Sequence, residues 1–181
     1  MLLSVIFFIF ACTNKLTNIG LKDYKSIEGV KIGMPLNDAI TKINKKYYVE
    51  KTKVNVYEGE KKKFEYIVYE DNTKKTSLFS FNEGYNSKTK DLVYRLAIKS
   101  PKYKTKEGVF VGMTVKKLKE KTKIKSVDFN IDNGLFLLSS SFDGGYLMDI
   151  NGSKKYSGFD YENPTINSLP GELKIKEIII F

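Results

Sequence analysis

Histidine is absent from this 181-residue chain and cysteine occurs once. The missing histidine removes the usual general base, the commonest metal ligand and the side chain that changes charge near neutral pH. A single cysteine, Cys12, excludes an intramolecular disulfide, so the fold must rest on packed cores. Arginine is as scarce: Arg95 is the only one among 31 basic residues. A formal charge of +10 raises nucleic acid or an anionic membrane surface as partners. The charge, however, is carried by lysines interleaved with acids, as in Lys61-Lys62-Lys63 after Glu58 and Glu60, or Lys116 to Lys123 around Glu120. Without an arginine cluster to fork onto phosphates, this reads as a solvated surface, and no nucleic-acid partner is expected. Nothing in the chain supports an enzyme, and neither a cofactor nor a bound metal is the leading expectation.

What is present begins with Leu2 to Phe10, an apolar run too short to span a bilayer as a permanent helix. It has the character of the hydrophobic region of a secretory signal. The residues after it, Ile9-Phe10-Ala11-Cys12, resemble a bacterial lipobox. The resemblance implies a signal peptide over residues 1–11, removed to leave a diacylglycerol on Cys12, and a lipidated tether over residues 12–23. Two or more acyl chains give stable anchoring, since each buried CH₂ contributes about 0.8 kcal/mol. The expected address is the bacterial cell envelope, lipid-anchored at the outer membrane and facing the periplasm or the cell surface.

Beyond the tether the chain writes one stretch twice. Glu28-Gly29-Val30-Lys31-Ile32-Gly33-Met34 returns as Glu107-Gly108-Val109-Phe110-Val111-Gly112-Met113, 79 residues on, and Tyr-Lys precedes each (Tyr24-Lys25, Tyr103-Lys104). That spacing suits a small domain duplicated once. Each copy leads into a helical pattern: Leu36, Ala39, Ile40 and Ile43 form one apolar stripe after Pro35, and Val115 and Leu118 follow Thr114, a plausible N-cap. Period-two runs come next. In the first unit they are Tyr48–Tyr57, Phe64–Tyr69, Ser77–Phe81 and Leu92–Ile98; in the second, Ser126–Ile131, Leu135–Phe142, Tyr146–Ile150 and Lys174–Phe181. Asp132-Asn133-Gly134 is a hairpin signal, and Asn151 to Glu172 is a long loop. The predicted architecture is α+β: two tandem units, residues 24–100 and 101–181. Each is one helix packed on its own four-stranded antiparallel meander.

A Gly-x-x-x-Gly-Met segment followed by an amphipathic helix and antiparallel strands resembles the module of the small lipoprotein of the outer-membrane β-barrel assembly machinery. It is also similar to the tandem modules of β-lactamase-inhibitory protein, and the stretch Ile98 to Val109 looks like uncharacterised lipoprotein domains of Gram-negative envelopes. The first copy carries Pro35 where threonine is usual. The resemblance implies protein binding or envelope assembly, and it hands over no catalytic residue.

The motif residues Gly29, Gly33, Met34, Gly108, Gly112 and Met113 read as structural: the second glycine of each copy turns the chain into a helix, and the methionine fills the space beneath it. Tyrosines exceed what one helix can cover, so Tyr57, Tyr66, Tyr69 and Tyr85 are the candidate binding surface, an exposed Tyr/Lys sheet face. Asp143, Asp149, Asp160 and Glu162 match no EF-hand spacing and read as turn-capping acids. The expected function is a non-enzymatic, membrane-anchored envelope lipoprotein that binds or scaffolds another envelope protein. The alternative is a small ligand, glycan or Ca²⁺ held in a groove between the units by tyrosines and loop acids.

Overall fold

A computed structural model describes residues 20–21, 24–54, 63–84, 86–130, 134–150, 160 and 162–181. Cys12, the signal and nearly all of the tether, Tyr57, Tyr85, Asp132-Asn133 and residues 151–159 of the long loop lie outside the described residues. The chain enters through three short strands, β1 (Gly20–Leu21), β2 (Ser26–Ile27) and β3 (Val30–Lys31). Between β2 and β3, Glu28 and Gly29 both take positive φ, 48° and 81°, as a two-residue type I′ turn requires. Helix α1 (Leu36–Ile43) buries Leu36, Ala39 and Ile43 and carries Asp38 in its first turn. Strands β4 (Tyr48–Val54), β5 (Lys63–Tyr69), β6 (Ser77–Glu83) and β7 (Val93–Ile98) follow as an antiparallel meander.

A second passage repeats this order. β8 (Lys104–Thr105) precedes α2 (Val115–Lys121), whose cap Thr114 accepts a hydrogen bond from the Lys117 amide at 3.4 Å. Then come β9 (Ile124–Asn130), β10 (Gly134–Ser139), β11 (Gly144–Met148) and β12 (Ile175–Ile180).

The expected pair of separate helix-on-sheet units is not what forms. The eight long strands make one continuous antiparallel sheet in the order β4-β5-β6-β7-β12-β11-β10-β9, and the described residues are mostly β, with two helices of 8 and 7 residues among them. The joint is β7 with β12: Leu96, Ala97 and Ile98 face Ile180, Ile179 and Ile178. The physical reason lies in those residues. Both strands end in three consecutive buried apolar residues, a pattern that puts apolar side chains on both faces and suits the middle of a sheet rather than its edge.

The register sorts side chains by face. Tyr66, Phe81, Leu96 and Ile180 stand directly opposite in turn, as do Val68, Phe79, Ile98, Ile178, Tyr146 and Leu137. These join Leu36, Ala39, Ile43, Val115 and Leu118 of the helices in one hydrophobic core.

The doubled motif stitches each helix start to the strand nearest the joint. Gly33 donates its N–H to Val93 at 2.7 Å, Met34 accepts from Val93 at 2.8 Å, and Leu36 donates to Asp91 at 2.7 Å. In the second passage Gly112 donates to Ile175 (2.8 Å), Met113 accepts from Ile175 (2.9 Å), and Val115 donates to Leu173 (2.8 Å). Gly33 and Gly112 hold φ of +80° and +90°, and a Cβ built on either meets nothing within 4 Å. Alanine there is therefore opposed by backbone conformation alone. We expect Gly33→Ala and Gly112→Ala each to cost about 1–2 kcal/mol in urea unfolding. Asparagine, which tolerates positive φ, should recover part of that at both positions.

The tyrosines before each motif cross over. The Tyr24 hydroxyl donates to the Glu107 carboxylate, and the Tyr103 hydroxyl donates to Glu28 Oε1 at 3.2 Å. Tyr24 stacks on Phe142 with centroids 4.5 Å apart, and Tyr103 meets Phe79 edge-on at 6.3 Å. Tyr103 is fully buried, and burial followed by the Glu28 charge pushes its hydroxyl well above the usual range, so it stays a neutral donor.

Candidate binding groove on the helix-free face of the sheet

The opposite register lines carry a different set. Glu65, Asn82 and Arg95 face one another in turn, as do Asp128, Phe136, Leu147 and Glu177, and as do Ser80, Ala97 and Ile179. Successive side chains alternate faces, so all of these point away from the helices. Together with Val54, Lys99, Lys176, Gly134 and Phe181, most of them line a groove of about 560 Å³. Every strand of the sheet contributes. A flat sheet of eight strands would separate its edges by roughly 34 Å at 4.8 Å per strand. For Val54 on one edge strand and Asp128 on the other to line the same groove, the sheet must curl toward its helix-free side.

The floor of the groove is an ion-pair network. Lys99 Nζ lies 2.8 Å from Glu65 Oε1 and 3.9 Å from Glu177 Oε1, and Arg95 Nη2 is 4.0 Å from Glu177 Oε2. Ser80 Oγ donates to Glu65 at 2.5 Å. Burial would raise the Glu65 carboxyl, but the hydrogen bonds from Lys99 and Ser80 and the charges of Lys99 and Arg95 outweigh it and hold the group below the usual carboxylate range. Its ionisation thus stabilises the fold above its unfolded value near 4.5, and that contribution is lost as pH falls through the lower folded value.

Removing the lysine reverses this sign. Lys99→Met leaves Glu65 facing burial without its nearest cation. We expect a loss of about 2 kcal/mol at pH 7, less than for a fully enclosed pair because both side chains keep some solvent. The gap from wild type should narrow as pH falls to 4, and Lys99→Met with Glu65→Gln should recover most of it. A loss that stays constant across that range would exclude the pairing as its cause.

Among the described residues, two solvent-inaccessible atoms of groove-lining side chains have no hydrogen-bond partner. Asn82 donates through Nδ2 to the Phe64 carbonyl at 3.1 Å, which leaves its buried Oδ1 unpaired, and the buried Nε of Arg95 is unpaired as well. The two residues are direct cross-strand neighbours. Three cations (Arg95, Lys99, Lys176) balance three anions (Glu65, Asp128, Glu177) in the lining, on a chain whose overall formal charge is +10.

The residues singled out from sequence are distributed differently. Tyr66 is not a surface residue: it is 6% exposed, stacks on Phe81 at 5.3 Å and belongs to the core. Tyr69 is half-buried, its ring 6.4 Å from that of Tyr48 at the β4–β5 edge. Gly29 has a Lys42 side chain where its Cβ would go, Gly108 holds φ +79°, Met113 is buried and Met34 packs against the core. None of these lines the groove. Among the described residues no three His, Cys, Asp or Glu converge as a metal site, and Asp160 instead accepts from the amides of Glu162 and Asn163. The groove itself was missed. Its sequence signal was faint: the lone arginine and three acids at outward positions of otherwise apolar strands.

No helix among the described residues is long and apolar enough to cross a membrane. No family model matches the chain, and no curated protein matches it significantly. Among solved structures, the uncharacterized protein YfeY from Escherichia coli is similar in fold, with a TM-score of 0.61 and 13% identity over 87% of this chain and 96% of that one.

Proposed function

We propose that the chain is a non-enzymatic binding module of the cell envelope, tethered through lipid on Cys12, which receives a partner protein in the groove on its helix-free face. The observation that carries this reading is the groove itself, curled from all eight strands and lined by balanced charges beside Phe136, Leu147, Ile179 and Phe181. Aromatic and aliphatic anchors beside arginine are what protein contact surfaces use. Zero net charge in the groove disfavours a polyanion despite the basic chain. We also read the two passages as copies of one ancestral unit, because three backbone bonds and two positive-φ glycines recur at equivalent positions. The likeness of the motif to envelope-assembly and inhibitory modules points the same way.

The test is site-specific photocrosslinking of the lipidated protein in its own membranes, with the crosslinker at Leu147 in the groove or at Lys117 on α2. A single protein adduct from position 147, absent from position 117 and lost with Cys12→Ser, is expected. Adducts from position 117 alone, or from neither position, would overturn the reading.

A further inference from the structure

The two passages correspond residue by residue, and the correspondence runs through the joint. Gly33 and Gly112 donate to Val93 and Ile175, so Leu96, Ala97 and Ile98 match Ile178, Ile179 and Ile180. The neighbouring strands agree. Phe79 and Phe81 face Ile98 and Leu96 as Gly144 and Tyr146 face Ile180 and Ile178, and the register slips at the same step, after Asn82 and after Leu147. Under this match the joint is its own image: Ala97 pairs with its counterpart Ile179, and the pair Leu96–Ile180 answers the pair Ile178–Ile98. The crossed hydroxyls obey the same rule, since Tyr24 with Glu107 is the image of Tyr103 with Glu28. So do the strand ends, where the Lys99 amide donates to Leu78 and the Phe181 amide donates to Asp143, each at 3.0 Å.

We infer that the two passages meet through a two-fold, self-complementary interface, the kind by which a protein binds a second copy of itself, here enclosed within one chain. In such an interface, a contact between one residue and the counterpart of another is always matched by the reciprocal contact. Passages repeated by a shift along the sheet would not pair Ala97 with its own counterpart. Enclosure in one chain allows what two identical copies could not have, a groove with unlike halves. Glu65, Asn82, Arg95 and Lys99 stand where the second passage has Phe136, Leu147, Glu177 and Phe181, so a polar half lies beside a largely apolar one. The inference does not depend on the groove taking a partner.

A two-fold makes the passages interchangeable in chain order. Residues 100–102 carry the chain from Lys99 to Tyr103, and the image of that step runs from Phe181 to Tyr24. Both steps are held alike: Tyr103 meets Phe79 next to Leu78, and Tyr24 stacks on Phe142 next to Asp143. A rearranged chain reading 1–23, 103–181, 100–102, 24–99 keeps all 181 residues. It should sediment in the same state of association as the natural chain and lose no more than about 5 °C in Tm, the size of a small local mismatch in a chain this long. Arg95 is the only arginine, and its single Nε–H signal in a ¹⁵N–¹H correlation spectrum should stay in place, as the same joint requires. A larger fall in Tm, a new dimer that exchanges halves, or folding only after 100–102 gives way to about twelve Gly and Ser residues would show the two steps to be unequal. Failure to fold with either link would show that the passages cannot trade places. Each of these results overturns the inference.

Discussion

Ile178→Ala is expected to destabilise the whole chain by about 3–4 kcal/mol and to leave its unfolding a single transition. Ile178 is fully buried, pairs with Ile98 on one side and Tyr146 on the other, and sits where the two halves of the sheet meet. Cutting isoleucine to alanine in a core loses transfer free energy and leaves a cavity, for about 2–5 kcal/mol in all, and a site hemmed by strands on both sides collapses poorly. For a chain of this length that is a fall of roughly 6–16 °C in Tm. Two independent units would answer differently: only the second would melt early, and the first would keep its own midpoint. Urea unfolding followed by near-ultraviolet tyrosine dichroism and by far-ultraviolet dichroism separates the cases. Coincident curves, both shifted, are expected from one shared core. Split curves would mean that the joint couples the halves weakly.

The second large effect is expected at Gly145. A Cβ built there would lie 2.1 Å from the Leu137 carbonyl oxygen and 3.0 Å from the Phe136 ring, and at Gly144 it would lie 2.1 Å from the Ile179 oxygen. The two 2.1 Å contacts are with backbone oxygens of the strands flanking β11, so no side-chain rotation relieves the overlap. Gly145→Ala should therefore cost about 3 kcal/mol or more, at or beyond the usual range for overpacking, because a whole strand has to move. Gly171→Ala is the contrast. Its Cβ would meet only Lys116 Cβ at 3.5 Å, an ordinary contact, and stability should change by less than about 0.5 kcal/mol. Equal effects at the two positions would show that the close approach in β11 can relax.

These two positions also show where the sequence could be read and where it could not. The period-two runs located the long strands to within a few residues, and the stripe Leu36, Ala39, Ile43 marked α1, because each signal comes from neighbours in the chain. The β7–β12 pairing leaves no such local trace, since it joins residues as far apart as Leu96 and Ile180. What it did leave was indirect: Ile178-Ile179-Ile180 is apolar on both faces, and Ala97 is small opposite Ile179, as strands packed on both sides would require. Tyr66 was misassigned for a related reason. A tyrosine in a strand looks the same whether its ring lies outward or, as here, flat against Phe81 beneath Lys51, whose Nζ is 5.6 Å from the ring. The groove depends on parity carried across all eight strands, which requires the register between halves. Arg95 drew notice only as evidence against a phosphate-binding cluster, while its pairing with Asn82 is what makes it distinctive.

The strand order has a consequence for the birth of the molecule. β12 comes last along the chain yet occupies the middle of the sheet, between β7 and β11. A polypeptide emerging N-terminus first can assemble β4 through β7 early, but β7 then waits as a bare, greasy edge while some eighty further residues appear. Such edges recruit foreign strands. The half-made protein should thus be most vulnerable to clumping just before Ile175 arrives, and a nonsense codon late in the message should be more toxic than one before β7.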